Sequence, residues 1–436
     1  MRLTLRSRPP RVVAVATAGV AAVVLTACSG GDDADQAAAG PVELRMTTWS
    51  GNEAHHAIFQ EIADAYVEQH PDEVSGVEFD AITDGTYVSA ITTQIAGGDS
   101  PDLIWVTESY ADEFVSSGVL ADVGPVFADA EGYDAGDLAP NAMELWTDGD
   151  ATYAYPFSTS PFGIYANLDL LTAAGQPNPR DLIAAGEWTW DRLADVAAAT
   201  VASQGVAGIQ LSVDDPYALP NDAIMPIGLA WDARPWSEDG ASCEYTSPET
   251  VEFFQWYHQR VYQDRAFPAV GEAVDFASGQ AAFRMGQLSL SAGLGDAFAW
   301  DFLPLPDGPA GTVPVIGQAG IGVVANGENP EAAADFLAFF TSPENAARLA
   351  EFFPPPRESL LDAQTLQAAA PSLTPDQLQG TVIDQALSAR TKVGHPRLSQ
   401  MADAIRAGLD ALWTPDADVE AVLADVCAQI EPTLAE

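Results

Sequence analysis

"QIAGGDSPDLIWV" spans residues 94–106, and its reading decides the fold. Upstream of it Val88, Ile91 and Ile95 recur at helical spacing, which predicts a helix over Tyr87–Ala96 with those residues inward. Gly97-Gly98 ends that helix, because glycine takes a left-handed cap without steric cost. Leu103 to Val106 is then a short, continuous apolar run, the pattern of a strand buried on both faces. Working outward, Glu43–Trp49 reads as a first strand. Asn52–His70 reads as a helix with Ile58, Phe59, Ile62 and Tyr66 on one face, stopped by Pro71. Val77–Ile82 is a second strand, and Phe114-Val115 belong to a helix closed by Gly118. Strands and helices alternating at this spacing predict an α/β fold with a mostly parallel sheet.

The rest of the chain is punctuated less regularly. Asp148-Gly149 turns into a short strand, Thr152–Tyr155. Thr189 caps a helix over Trp190–Thr200, and Ser247-Pro248 starts one carrying Val251, Phe254 and Val261. Asn329-Pro330 starts another, with Ala333, Phe336, Leu337 and Phe340 on one face, and Ser342-Pro343 starts the next. From Leu360 onward the chain reads as helical with proline punctuation.

The N-terminus is of another kind. Arg2, Arg6, Arg8 and Arg11 precede a weakly apolar run, Val12–Leu25. That run falls short of the roughly 20 residues a membrane span needs, so it reads as a secretory signal. In "VVLTACSGGDDADQ" (23–36), Leu25-Thr26-Ala27-Cys28 resembles the lipobox of bacterial lipoproteins. The resemblance implies a signal peptide over 1–27 and Cys28 as the lipidated mature N-terminus. Residues 28–41 are small, acidic and poor in apolar side chains, hence a flexible tether.

Without residues 1–27, 13 basic residues face 63 acidic ones, a net charge of about −50. Such a surface repels nucleic acid and anionic bilayers, so any membrane association is expected through the lipid anchor alone. Lys392 is the single lysine, so no GxxxxGK[ST] loop exists. CxxC, HExxH and DxDxDG patterns are absent from the sequence, and the reading calls for no metal and no cofactor. The five histidines are scattered except for His55-His56, a pair expected at the surface. Cys243 and Cys427 can form one disulfide in an exported protein. About 400 residues suffice for two lobes.

Five stretches, in order, resemble the solute-binding proteins of ABC importers, in the carbohydrate-binding group typified by maltose-binding protein. They are residues 94–106, "YPFSTSPFGIYANLDLLTAAGQP" (155–177), "EWTWDRLADVA" (187–197), "FASGQAAFRMG" (276–286) and "GIGVVANGENPEAAADFLAFFTSPENAARL" (320–349). The chain departs from the group at Ala166, where a second Tyr is usual, at Gln318, where a second Gly is common, and at Ala402, where a cleft Trp aligns. The resemblance implies two α/β lobes, 42–159 plus 320–355 and 160–318 plus 356–436. They would be joined by crossovers near Thr159–Phe162, Gly317–Gly320 and Pro354–Arg357 and would close on ligand by a hinge. It implies a monomer on the extracellular side of the membrane. The monomer would bind a neutral sugar or oligosaccharide and pass it to permease subunits driven by a separate ATPase. A polyol or a phosphoester such as a glycerol phosphodiester is the alternative, held back by the shortage of basic residues. A secreted carbohydrate-active enzyme is the remoter rival, since no GxSxG motif occurs.

Sugars offer flat C–H faces and a rim of hydroxyls, which suit aromatic planes and polar side chains respectively. Ligands of open α/β sheets lie beyond the carboxyl ends of strands. That rule selects Trp49, Ser50, Asn52 and Glu53 after the first strand, and Thr107, Glu108 and Tyr110 after the strand ending at Val106. At the crossovers it selects Ser160, Gly317 and Gln318, with Tyr155 and Phe157 alternating just before. Trp231 is a candidate stacking face in a second-lobe loop that often supplies one in this group. Trp300 is a further aromatic candidate, and Arg357 a candidate hydroxyl donor. No catalytic residue is assigned.

Overall fold

The computed structural model describes residues 40–83, 86–213, 216–217 and 220–435. The signal segment, Cys28 and nearly all of the tether lie outside them. Asn52 caps the helix Glu53–Gln69 by accepting a hydrogen bond from the Ala54 amide, and Phe59, Ile62, Ala63 and Tyr66 form its buried face. The helix Tyr87–Gly97 stops at Gly98, whose φ of 77° is the left-handed cap that the glycine pair predicts. Thr189, Ser247 and Ser342 cap the helices Trp190–Gln204, Pro248–Tyr262 and Pro343–Leu349 with their side chains.

Ten strands are present among the described residues: β1 (Val42–Thr48), β2 (Val74–Ala81), β3 (Leu103–Thr107), β4 (Thr147–Asp148), β5 (Ala151–Thr152), β6 (Ala154–Asn167), β7 (Ala207–Gln210), β8 (Ala281–Gln287), β9 (Trp300–Leu303) and β10 (Ile316–Val323). The short strand expected over Thr152–Tyr155 is thus split between the β4–β5 hairpin and a 14-residue strand, β6. The large sheet runs β2-β1-β3-β10-β6-β8-β7, with β9 also on β6. Its flanks, β2-β1-β3 and β7-β8, pair in parallel, as βαβ units require. Its middle is antiparallel, because β6 and β10 run through it in opposite directions.

The buried apolar side chains divide on either side of this middle. A first cluster takes β1–β3, Tyr155 and Phe157 of β6, the later half of β10 and the helix Pro330–Phe340. A second takes β6 from Phe162, the helices Trp190–Gln204 and Pro248–Tyr262, and the C-terminal helices Leu398–Leu409 and Val419–Leu434. A third, smaller cluster gathers Tyr165, Phe276, Phe302 and Val382 against the other face of the second half. Each large apolar side chain so buried contributes about 1.5–3 kcal/mol relative to exposure.

Three segments pass between the two main clusters and meet at one residue. Thr159 on β6 lies opposite Gln318 on β10. Its amide and hydroxyl donate to the Pro354 carbonyl at 2.9 and 3.1 Å, and the hydroxyl reaches the Pro355 carbonyl at 3.0 Å. Cys243 and Cys427 are joined in a disulfide with a Cα–Cα distance of 5.5 Å, tying a loop of the second half to the terminal helix.

Candidate functional site

A cleft of about 630 Å³ opens beside these crossings, at the carboxyl ends of β1 and β3. Its size is that of a small-ligand site. The β-bulge that shapes it lies on β6. Ala319 faces Ser158 and Gly320 faces Pro156, which leaves Phe157 without an opposite number. A bulge re-aims the side chain it carries. Phe157 accordingly packs 4.3 Å from the Trp105 ring centroid and 5.2 Å from Phe353, lining the cleft. Gly320 can lie there because it has no side chain: a Cβ would fall 2.7 Å from the buried Trp146 ring.

The apolar wall is made of Trp49, Trp105, Phe157, Phe352 and Phe353. Trp49 is half-buried and meets Trp105 and Tyr87 edge-on, at 4.9 and 5.2 Å. Edge-on packing anchors such a ring while leaving a face available. The polar lining is Asn52, His55, Thr107, Glu108, Ser158, Gln287, Ser289, Gln318 and Glu351. Two carboxylates therefore line the cleft, and among the described residues no arginine or lysine does. Trp146 Nε1 donates to Gln318 Oε1 at 2.9 Å and fixes that carboxamide.

His55 and His56 hold the loop after β1. Ser50 Oγ lies 2.8 Å from His55 Nδ1, and His56 Nε2 donates to the Ser50 carbonyl at 2.6 Å. The pair expected on the surface is instead half-buried, and the His55 ring packs against Phe352 and Phe353. Burial, with His56 beside it, lowers the His55 pKa below the ordinary 6.5.

Glu108, at the end of β3, has an ammonium partner: Lys392 Nζ lies 2.7 Å from its Oε1 and 3.5 Å from Asp222 Oδ1. Burial disfavours the charge on Lys392, but the two carboxylates outweigh it and its pKa is raised. Ser109 donates to Asp222 as well. Beneath the site, Asp102 accepts from the amides of Arg45 (2.9 Å) and Asn329 (3.2 Å), which ties the turn before β3 to β1 and to the 326–329 loop.

The cleft thus gathers Trp49, Asn52, Thr107, Glu108, Phe157 and Gln318 from the residues selected in the sequence. The others lie elsewhere. Trp231 is buried in the second cluster, 4.6 Å from Trp256 and 5.4 Å from Phe253. Trp300 packs near Tyr165 on β6. Arg357 is fully buried: it donates to the Asp134 and Thr341 carbonyls and sits 4.8 Å above the Tyr133 ring. Its guanidinium thus binds the first half together, with Tyr155 buried beside it. Glu53 is exposed in the first turn of its helix, and Ser50 is engaged by both histidines. Ser160 is buried, with no hydrogen-bond partner for its hydroxyl among the described residues. Gly317 lies under Gln287, whose amide a Cβ would strike. Tyr110 lines a separate, small pocket with Asp222, Leu398 and Ala402.

Trp105, His55, Phe352 and Phe353 were missed, as were the polar residues Ser158, Gln287, Ser289 and Glu351. Trp105 lies inside the apolar run that reads as a core strand. The phenylalanine pair carries the one usable signal, its place just before the predicted crossover at Pro354. Among the described residues, no group of three or more His, Cys, Asp or Glu side chains is placed to hold a metal ion.

Residues 50–347 match the family model of the bacterial extracellular solute-binding proteins. Among curated proteins, the chain is 24% identical over 346 residues to an uncharacterised lipoprotein in the oleD 5′ region of Streptomyces antibioticus, covering 75% of this chain and 72% of that one. Solved structures share the fold. The ABC substrate-binding protein Lmo0181 from Listeria monocytogenes, in complex with cycloalternan, superposes with a TM-score of 0.75 at 21% identity, over 90% of this chain and 98% of that one. Maltose-bound MalE3 of T. maritima gives 0.73 at 20% identity, over 90% and 100%. UgpB from Mycobacterium tuberculosis, in complex with glycerophosphocholine, gives 0.72 at 21% identity, over 91% and 98%.

Proposed function

The chain belongs to the bacterial extracellular solute-binding proteins, and from that premise we propose that it captures a neutral sugar or oligosaccharide in the cleft beside Thr159 and delivers it to an ABC permease. In this reading the two main core clusters are lobes that close on the ligand about their three crossings. Trp49, Phe157 and Phe353 supply stacking faces, and Asn52, Thr107, Glu108 and Gln287 meet hydroxyls. The permease and its separate ATPase are partners this role requires. Cys28 carries the lipid that holds the protein at the outer face of the membrane, since so acidic a chain has no electrostatic hold on an anionic bilayer. The role is binding, with no reaction assigned.

The observation that carries the reading is the lining itself: aromatic planes and polar groups with two carboxylates, and among the described residues no arginine or lysine. A phosphodiester would find no arginine or lysine among the described residues of the lining and would meet Glu108 and Glu351 instead. The glycerophosphocholine-bound neighbour keeps that ligand class in the test. A ligand that binds only the folded state raises its melting temperature. A melting screen of the purified protein against neutral mono- and oligosaccharides, polyols and glycerol phosphodiesters should therefore give its largest shift with a neutral saccharide. A shift confined to phosphodiesters would replace the reading with its alternative.

A further inference from the structure

The two halves of the molecule are joined covalently at the crossings, and on one side of the cleft they also touch through side chains. Glu108 and Ser109 follow β3 and belong with the first half. Asp222 precedes Ala223 and Ile224, which are buried in the second cluster. Lys392 stands beside Val393, which packs against that same cluster. The Lys392–Glu108 contact of 2.7 Å therefore crosses from one half to the other, while Lys392–Asp222 stays within the second. The same face carries two further crossings: Ser109 donates to Asp222, and the Ser399 amide donates to Glu113 at 3.2 Å. Gly394 lies so close to Asp112 that a Cβ would fall 2.6 Å from its carboxylate.

All the acidic groups here would repel one another without a cation. Glu108, Asp112 and Glu113 stand on one side and Asp222 on the other, with Asp403 near Tyr110. In a chain of 63 acidic residues the cation supplied is the single lysine, whose side chain is only 10% exposed. Its ammonium also lies 5.2 Å from the Phe162 ring, at the start of the second-half portion of β6.

We propose that Lys392 is a clasp between the two halves, a positioning residue that holds Glu108 at the cleft when the halves are together and releases it when they part. Removing the ammonium leaves Glu108 and Asp222 as like charges with no cation between them, so the halves separate in the absence of any ligand. Arginine at the same place keeps the charge and the clasp. The inference rests on the capture reading only in that closure serves capture. Its test needs no ligand, so the two can fail independently.

Small-angle scattering of the ligand-free protein compares wild type with Lys392→Met, Lys392→Arg and the double variant Glu108→Gln/Asp222→Asn. Lys392→Met should raise the radius of gyration by about 1 Å over the roughly 22 Å of a compact chain this long. Lys392→Arg should leave it unchanged. In the double variant, reagents that acylate amines should modify Lys392, followed by mass spectrometry of its peptide, about tenfold faster than in wild type. Residue 392 is the only ε-amine in the chain, so that readout has no background from other lysines. A merely structural role predicts a lower melting temperature at unchanged radius of gyration. That result would overturn the proposal, as would equal acylation rates in wild type and the double variant. If Lys392→Met does not fold, the acylation comparison decides alone.

Discussion

At the scale of single residues, side chains at strand ends were legible and those inside buried runs were not. Trp49 follows β1 at once and turns into a polar loop, and it lines the cleft. Trp105 lies two residues before the end of β3, in a run whose every neighbour is buried, and lines the same cleft. Trp231 shows the converse. A loop position near polar residues does not keep an indole at the surface when Phe253 and Trp256 offer it a core. Arg357 was the only arginine near a crossover, but proximity along the chain says nothing of where the fork of a guanidinium is spent. His55 carries a prediction at this scale. Its pKa is below 6.5 in the folded chain and about 6.5 in the unfolded one, so the unfolded chain takes up the proton first. The neutral ring's contribution is whole above pH 6.5 and falls away as the pH drops through the window below it. Between pH 7.5 and pH 5.5, His55→Gln should therefore lose less melting temperature than wild type. An equal loss in both would mean that His55 titrates normally.

At the scale of elements, local patterns located the flanks of the sheet. β1, β2 and β3 appear within a few residues of their predicted limits, and four helices begin where a cap residue or a proline announces them. β6 was largely invisible. It contains Pro156, Pro161 and Gly163, residues that ordinarily argue against a central strand. It survives because Pro156 sits at the bulge and the partners come from β8, β9 and β10, more than 100 residues away. The disulfide is the other long-range link. Cys243 and Cys427 are 184 residues apart, for which loop-closure entropy gives an upper bound of about 5 kcal/mol. Cys243→Ser/Cys427→Ser should melt well below wild type. Thiol titration of the denatured, unreduced protein should find no thiol beyond any at Cys28, and two more per chain would exclude the bond.

At the scale of the whole molecule, the architecture joins two cores through three crossings of backbone and, on one face, through the Lys392–Glu108, Ser109–Asp222 and Ser399–Glu113 contacts. Glu108 belongs to both features: it lines the cleft and meets Lys392 of the second half. Each main core cluster is filled by segments distant in the chain, the first by β1–β3 and the helix Pro330–Phe340, the second by β6–β8 and the C-terminal helices. What the sequence left open was which polar groups remain free for a ligand, since that depends on hydrogen bonds such as Trp146 to Gln318 that no local pattern announces. The central claim is that a neutral saccharide is held against the aromatic wall of this cleft. It is tested most directly by calorimetric titration of the saccharide giving the largest melting shift into wild type and Trp49→Ala. Loss of the stacking face should cost about 1–3 kcal/mol, or roughly fivefold to a hundredfold in affinity, with one site per chain retained. Equal affinity in the two proteins would place the ligand elsewhere and contradict the account.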